Sequence, residues 1–291
     1  MTLPTSPLPD VAPAREAEGA HAADAFGALP VWDLGALYGG PDDPAIAADL
    51  EAAGAEAQAF AEKYEGNLAG LGGAGLAGAV EAYEAMQSRL GRVMSYAMLR
   101  YAQNTQDPAR AQMMGNLQVQ VTTLTQPMVF FTLELNKLAP EMLEAAYAES
   151  AELTRYKPWL DRVRALAPHQ LSDELEKFLH DMSVVGASAW NRLFDETMSG
   201  LTFEVLGETL ALEATLTLLQ DKDRAKREAA GRAVAAVLGE NIRLFTLITN
   251  TLAKEKEIED RWRKMPTPDH GRHLANQVEP EVVDALREAV T

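Results

Sequence analysis

The sequence predicts a mainly α fold: a multi-helix lobe of long antiparallel helices with one small β-hairpin at about 201–213. Three observations carry this. Met114, Leu117, Val121, Leu124, Met128, Phe131, Leu135 and Leu138 recur at three- and four-residue steps, which draws one apolar stripe down a helix from Asp107 to Leu138. A second stripe, Val80, Tyr83, Leu90, Met94, Ala97 and Tyr101, ends near Gln103, and only Asn104, Thr105 and Gln106 separate the two, so they form an antiparallel hairpin. Between Leu201 and Glu213 the period drops to two, with Gly207 at the turn.

The 107–138 rod organises the rest. Asp107 suits the N-cap and Pro108 the first helical position, where its missing N–H costs nothing. At 1.5 Å per residue the rod is roughly 45 Å long. Val119, Val129, Phe130 and Leu133 give it a second apolar face, which predicts cover on more than one side. Pro127 lacks a donor and crowds the carbonyl of Thr123, so a kink is expected there.

Taken in order, residues 1–28 hold Pro4, Pro7, Pro9 and Pro13 among Ala, Glu and Gly and read as a flexible leader. Trp32, Leu34 and Leu37 are expected to dock on the body. Asp43-Pro44 opens a helix through Ile46, Leu50, Ala53, Ala57 and Phe60 to about Tyr64. The glycines at 70, 72, 73, 75 and 78 have neither the strand nor the lysine of a phosphate-cradling loop and read as a helix connection. Beyond Pro140, helices are expected at 141–149, 153–166 and 172–185, the last begun by Ser172-Asp173-Glu174, with Trp190, Leu193 and Phe194 continuing its apolar face after Gly186. Two strands are marginal alone, so the hairpin must lean on helices. A second rod runs from Asp221 to about Arg261 and is expected to bend or divide near Gly239. Glu279-Pro280 starts a last helix in which Val282, Val283, Leu286 and Val290 face inward, and because the chain stops inside it, a truncation is expected.

Composition narrows the function. The 291 residues are 47% hydrophobic, enough for a real core, and 26 basic against 43 acidic residues give a net charge of −17, which repels phosphate backbones and anionic membranes. The absence of cysteine excludes disulfides and thiolate metal sites and agrees with a cytoplasmic location. No signal peptide or membrane span is indicated.

Catalytic chemistry has no motif here. None of His21, His169, His180, His270 and His273 is followed by glutamate, so the H-E-x-x-H pair of a helical zinc peptidase is missing. His270 and His273 could share a helical face, but Pro266 and Pro268 favour exposed loop histidines and no third ligand is evident. His180 reads as a hydrogen-bonded packing histidine. No G-x-S-x-G elbow supports a nucleophile. The run from Lys222 to Arg232 reads as a solvated face, and Glu134 on the rod is the acid to check for burial.

Landmarks spread along the chain resemble the N-terminal half of oligoendopeptidase F, in the thimet-oligopeptidase-like group of zinc metallopeptidases. They are Leu29-Pro30-Val31-Trp32-Asp33-Leu34 with Leu37-Tyr38, the Arg92 to Tyr101 stretch with Ser95-Tyr96-Ala97, and Leu171-Ser172-Asp173-Glu174-Leu175-Glu176. Trp190 with Leu193-Phe194, the hairpin, Asp223-Arg224 with Arg227 and Ala230, and Arg272 with Leu274 and Asn276 complete them. The resemblance implies a helical bilobal enzyme whose channel admits oligopeptides, with zinc held by H-E-x-x-H and a downstream glutamate in a C-terminal half that this chain does not match. No catalytic, cofactor or metal residue is carried over. The expectation is a helical N-terminal lobe at 29–291, truncated before the catalytic zinc region, that shapes the substrate channel and is inactive alone. Its partners would be oligopeptide substrate and the C-terminal catalytic half, with zinc the cofactor of the full-length enzyme and none in this piece. The alternative is a stand-alone helical binding or assembly module.

Overall fold

A computed structural model describes residues 31–291. The expected leader, His21, Leu29 and Pro30 lie outside the described residues. The described chain is mainly α with one antiparallel β-hairpin, and it divides into two compact units, one formed by 34–200 and 240–291 and the other containing 201–239.

In the larger unit, Asp43 caps α1 (Pro44–Tyr64) by accepting from the Ala45 N–H, and Ile46, Leu50, Ala53, Ala57, Phe60 and Tyr64 form its buried stripe. α2 (Gly73–Gln103) begins inside the glycine cluster, three residues before Leu76. Gly73 is needed there: a Cβ at this position would lie 2.3 Å from the Ala146 carbonyl oxygen, so the backbones approach too closely for any side chain. α2 and α3 (Pro108–Thr125) pack as the expected hairpin. Asp107 accepts from the Ala109 and Arg110 N–H groups at the head of α3. The rod breaks where Pro127 predicts, in a 3₁₀ turn at Gln126–Met128, and resumes as α4 (Val129–Lys137).

Two apolar clusters hold this unit. One joins Phe60, Leu76, Val80, Met86, Phe130, Phe131, Leu135, Leu153 and Leu160, with Phe131 fully buried and edge-on to Phe60 at 5.0 Å. The other joins Tyr38, Leu50, Leu90, Val93, Tyr96 and Leu117, with Leu34 and Leu37 packed against it. Trp32, expected to dock with them, is 63% exposed. The second face of the rod is covered at Phe130 and Leu133 but open at Val119, which is 52% exposed.

α5 (Pro140–Glu149) is followed by α6 (Ala151–Arg155) and α7 (Lys157–Ala165), the expected 153–166 helix being split at Tyr156 ahead of Pro158. α8 (Asp173–Met182) starts after Ser172, whose hydroxyl makes no capping bond; the Glu176 carboxylate reaches back to the Leu171 N–H instead. Gly186 separates α8 from α9 (Ala187–Gly200).

In the smaller unit β1 (Thr202–Val205) pairs with β2 (Glu208–Ala211), Phe203 opposite Leu210. Leu206 and Gly207 both have positive φ, the geometry of a tight two-residue turn. Phe203 and Val205 are buried against Ala230 and Val234 of α11 (Arg224–Glu240), after the short α10 (Leu212–Leu218), so the hairpin does lean on a helix. Arg227 donates to the Asp221 and Lys222 carbonyls, stapling the start of α11. The second rod divides at Asn241, two residues past Gly239, into α11 and α12 (Ile242–Arg263).

Lys264, at φ 55°, ends α12, and two further helices follow, α13 (His270–Asn276) and α14 (Pro280–Val290). The inward stripe expected of α14 is not inward: Val282, Leu286 and Val290 are exposed, and Val283 is only half-buried. The pattern marks an apolar face correctly, but no described element covers it.

Candidate functional site

Within the larger unit a cleft of about 1370 Å³ opens between α8 and α12. The rod supplies its floor through Val121, Thr125, Met128, Val129 and Leu133. Leu175, Phe178, Leu179 and Met182, at three- and four-residue steps, put one apolar face of α8 on the first wall, whereas α12 sets Ile258 and Trp262 among the polar Asn250, Thr251, Lys254, Glu255 and Glu259 on the other. These walls are open: Phe178 and Trp262 are each 57% exposed.

Polar contacts fix the walls at two levels. At one end the Arg263 guanidinium grips the Glu176 carboxylate through two parallel bonds, of 2.6 and 3.0 Å, and also donates to Glu259. Burial alone would raise the Glu176 carboxyl, but the Arg263 guanidinium and the Leu171 N–H outweigh it and hold it below the usual carboxylate range. The bond to Glu176 in turn raises Arg263, already a permanent cation. His169 donates from Nδ1 to the Arg263 carbonyl at 2.9 Å, tying the segment before α8 to the end of α12. At the other level Glu255 accepts from the Ala187 N–H at 3.1 Å, so a carboxylate sits at the positive end of α9.

His180 behaves as a packing histidine, with Nε2 donating to the Thr122 carbonyl at 3.0 Å and lying 3.1 Å from the Thr125 hydroxyl. Glu134 is half-buried and accepts from the Gly66 N–H at 2.6 Å, joining the rod to the end of α1. The two C-terminal histidines are not in an exposed loop. Both lie on α13, where Asp269 sits at the helix start; His273 has an 11% exposed side chain 3.6 Å from the Asp269 carboxylate, and His270 meets the His169 ring edge-on at 5.2 Å. Among the described residues no group of three or more His, Cys, Asp or Glu could hold a metal ion. The cleft offers apolar side chains from the rod and α8 beside the largely polar side chains of α12. Glu255, Trp262 and Arg263 were not singled out by sequence reasoning, and Glu176 only as part of the Leu171–Glu176 landmark. The only advance signal was the apolar stripe of α8.

A model of the family described as Oligopeptidase F matches residues 134–203. Oligopeptidase PepF of Bacillus subtilis (strain 168) is 24% identical over 233 residues, covering 77% of this chain and 34% of that protein. The crystal structure of oligoendopeptidase-F from Enterococcus faecium superposes with a TM-score of 0.73 at 20% identity, over 85% of this chain and 50% of that one. That of a putative peptidase from Chlamydophila abortus gives 0.56 at 17% identity, over 89% and 44%. At these identities the structural likeness establishes the fold. The chain spans about a third of the length of the curated relative. In sequence and fold it is similar to part of the oligoendopeptidase F relatives.

Proposed function

We propose that this chain is the N-terminal lobe of a cytoplasmic zinc metalloendopeptidase that hydrolyses oligopeptides. The described helices would form part of the wall of the substrate channel, with 29–291 the lobe itself. Zinc and the groups that activate water would belong to a C-terminal catalytic half, and this chain alone would be inactive. The observation that carries the reading is the match to Oligopeptidase PepF, which takes up most of this chain and a third of that protein. Two features of the chain support the division of labour: it contains no H-E-x-x-H, and its described residues offer no metal cluster. This lobe's contribution would be positional, holding walls and excluding bulk solvent while the other half supplies chemistry.

The test compares residues 1–291 with a longer protein that joins them to a C-terminal half, by zinc content and by hydrolysis of fluorogenic oligopeptides and of folded protein. The longer protein should hold zinc and cleave only the oligopeptides, and 1–291 should do neither. Chelator-sensitive cleavage by 1–291 alone would overturn the proposal. A stable 1–291 that binds other partners, with a longer protein that lacks zinc, would favour a stand-alone binding module.

A further inference from the structure

We infer that the open edge of β1 is a seat for an extended oligopeptide, which pairs with it as a third strand and sets Lys or Arg beside Glu204. This rests on the function proposed above, in that the peptide is taken for its substrate, and deepens it by naming a contact the lobe makes with that substrate.

Among the described residues the hairpin is the whole of its sheet, so each strand has one side without a partner strand. In a hairpin with a two-residue turn the pair beside the turn, Val205 with Glu208, exchanges hydrogen bonds and the next pair does not. The alternation therefore turns the N–H and C=O groups of Thr202 and Glu204 outward. Nothing among the described residues bonds to those outward groups. Neither a proline nor a bulge, two usual devices that blunt an edge, interrupts β1. The opposite edge is less open: the Ala211 carbonyl accepts from the Thr215 hydroxyl, and α10 begins at the next residue.

An unpaired strand edge selects an extended chain over a helix, because a helix has already spent its backbone donors and acceptors on itself. Side chains of the added strand alternate as those of β1 do. On one face they meet exposed Thr202 and Glu204, whose carboxylate attracts a cation; on the other they extend the cluster of Phe203 and Val205, where an apolar side chain fits. Thr209 donates its hydroxyl to Glu204 from the β2 side and leaves the carboxylate its charge. Glu208 adds an exposed carboxylate beside the turn, and the net charge of −17 draws cationic peptide from a distance. Leu206 is left-handed at φ 54°, where Gly or Asn is easier, and 67% exposed, so it serves neither the turn nor the core. At the end of β1 it gives a bound chain a further apolar contact.

A blocked peptide alternating Lys and Val is titrated into ¹⁵N-labelled 1–291, beside the same peptide methylated at its backbone nitrogens. The first should shift the amides of Thr202 and Glu204 and protect them from exchange. The methylated one should bind about tenfold more weakly or worse, the loss of one or two ordinary hydrogen bonds, although its charge is the same. Glu204→Lys, on an exposed side chain, should weaken the first peptide about threefold or more. Equal binding of the two peptides would overturn the inference, as would binding that leaves Thr202 and Glu204 unshifted. Protection that grows with the concentration of 1–291 without peptide would overturn it in favour of hairpins pairing edge to edge between copies. Protection present in the longer protein without peptide would overturn it in favour of cover by the rest of that chain. A longer protein that holds zinc and cleaves the Lys-Val peptide with the same KM before and after Glu204→Lys sinks the edge site and leaves the function standing. One without zinc or activity, while 1–291 seats the peptide on β1, sinks the function and keeps the binding edge.

Discussion

Glu176 and Arg263, 87 residues apart in the chain, meet in a bidentate ion pair whose side chains are only 13% and 18% exposed. The pair holds the head of α8 against the tail of α12 and so sets the width of the cleft at that end. Removing one partner strands the other near the interior. Arg263→Met and Glu176→Gln should each cost about 2–4 kcal/mol in urea denaturation, toward the lower part of the range for a broken buried pair because water still reaches the site. The double variant Glu176→Leu/Arg263→Met should be less destabilised than the sum of single changes.

The same pair sets an acid limit. The Glu176 carboxyl lies lower in the folded chain than in the unfolded one, so its contribution is fully present above the unfolded value of about 4.3 and is lost as pH falls through the folded value. Denaturation curves between about pH 7 and pH 3 should therefore steepen in their loss of stability at the acid end for the parent, and less so for Glu176→Gln. Parallel curves would show that the pair does not titrate in this range.

Two glycines of α2 should answer an alanine substitution with opposite signs. At Gly73 the new Cβ meets backbone, the Ala146 carbonyl oxygen, and the cost should be about 2–3 kcal/mol because neither helix can yield. At Gly91 a Cβ meets nothing within 4 Å, and Gly91→Ala should stabilise by about 0.5–1 kcal/mol through lower unfolded-chain entropy. Thermal melts of both variants check the pair of signs.

Phe131→Ala should cost about 3–5 kcal/mol, since that ring is fully buried and packs on Phe60, Tyr83 and Trp159. Phe178→Ala should change the melting of 1–291 far less, since more than half of its side chain already faces solvent. Equal losses would mean that the α8 wall is buried in solution.

Chelator should leave the melting temperature of 1–291 unchanged, and His270→Ala should leave its metal content unchanged, because His270 and His273 have no third ligand among the described residues. A chelator-induced drop, measured by calorimetry, would reinstate a metal pair on α13.

Much of the architecture was legible beforehand because its signals are local. Asp43 and Asp107 followed by proline mark helix starts, Pro127 marks the break in the rod, and Gly207 between alternating residues marks the hairpin. Several of the misreadings were questions of cover. Val119 and the α14 stripe carry the same periodicity as buried Leu117 and Leu135, yet they face solvent. The α13 histidines were read as a loop because of the prolines before them, whereas a helix begins directly after Asp269.

The apolar periodicity and the caps by themselves determined where helices begin, end and bend, and which side of each is oily, because those properties depend on neighbours three or four residues away. The tertiary structure alone decided which oily sides meet. It paired Glu176 with Arg263 and left the apolar stripe of α8 facing a largely polar side of α12 across a cleft. A stripe states that a helix needs cover, and only the packing of distant segments settles what, if anything, provides it.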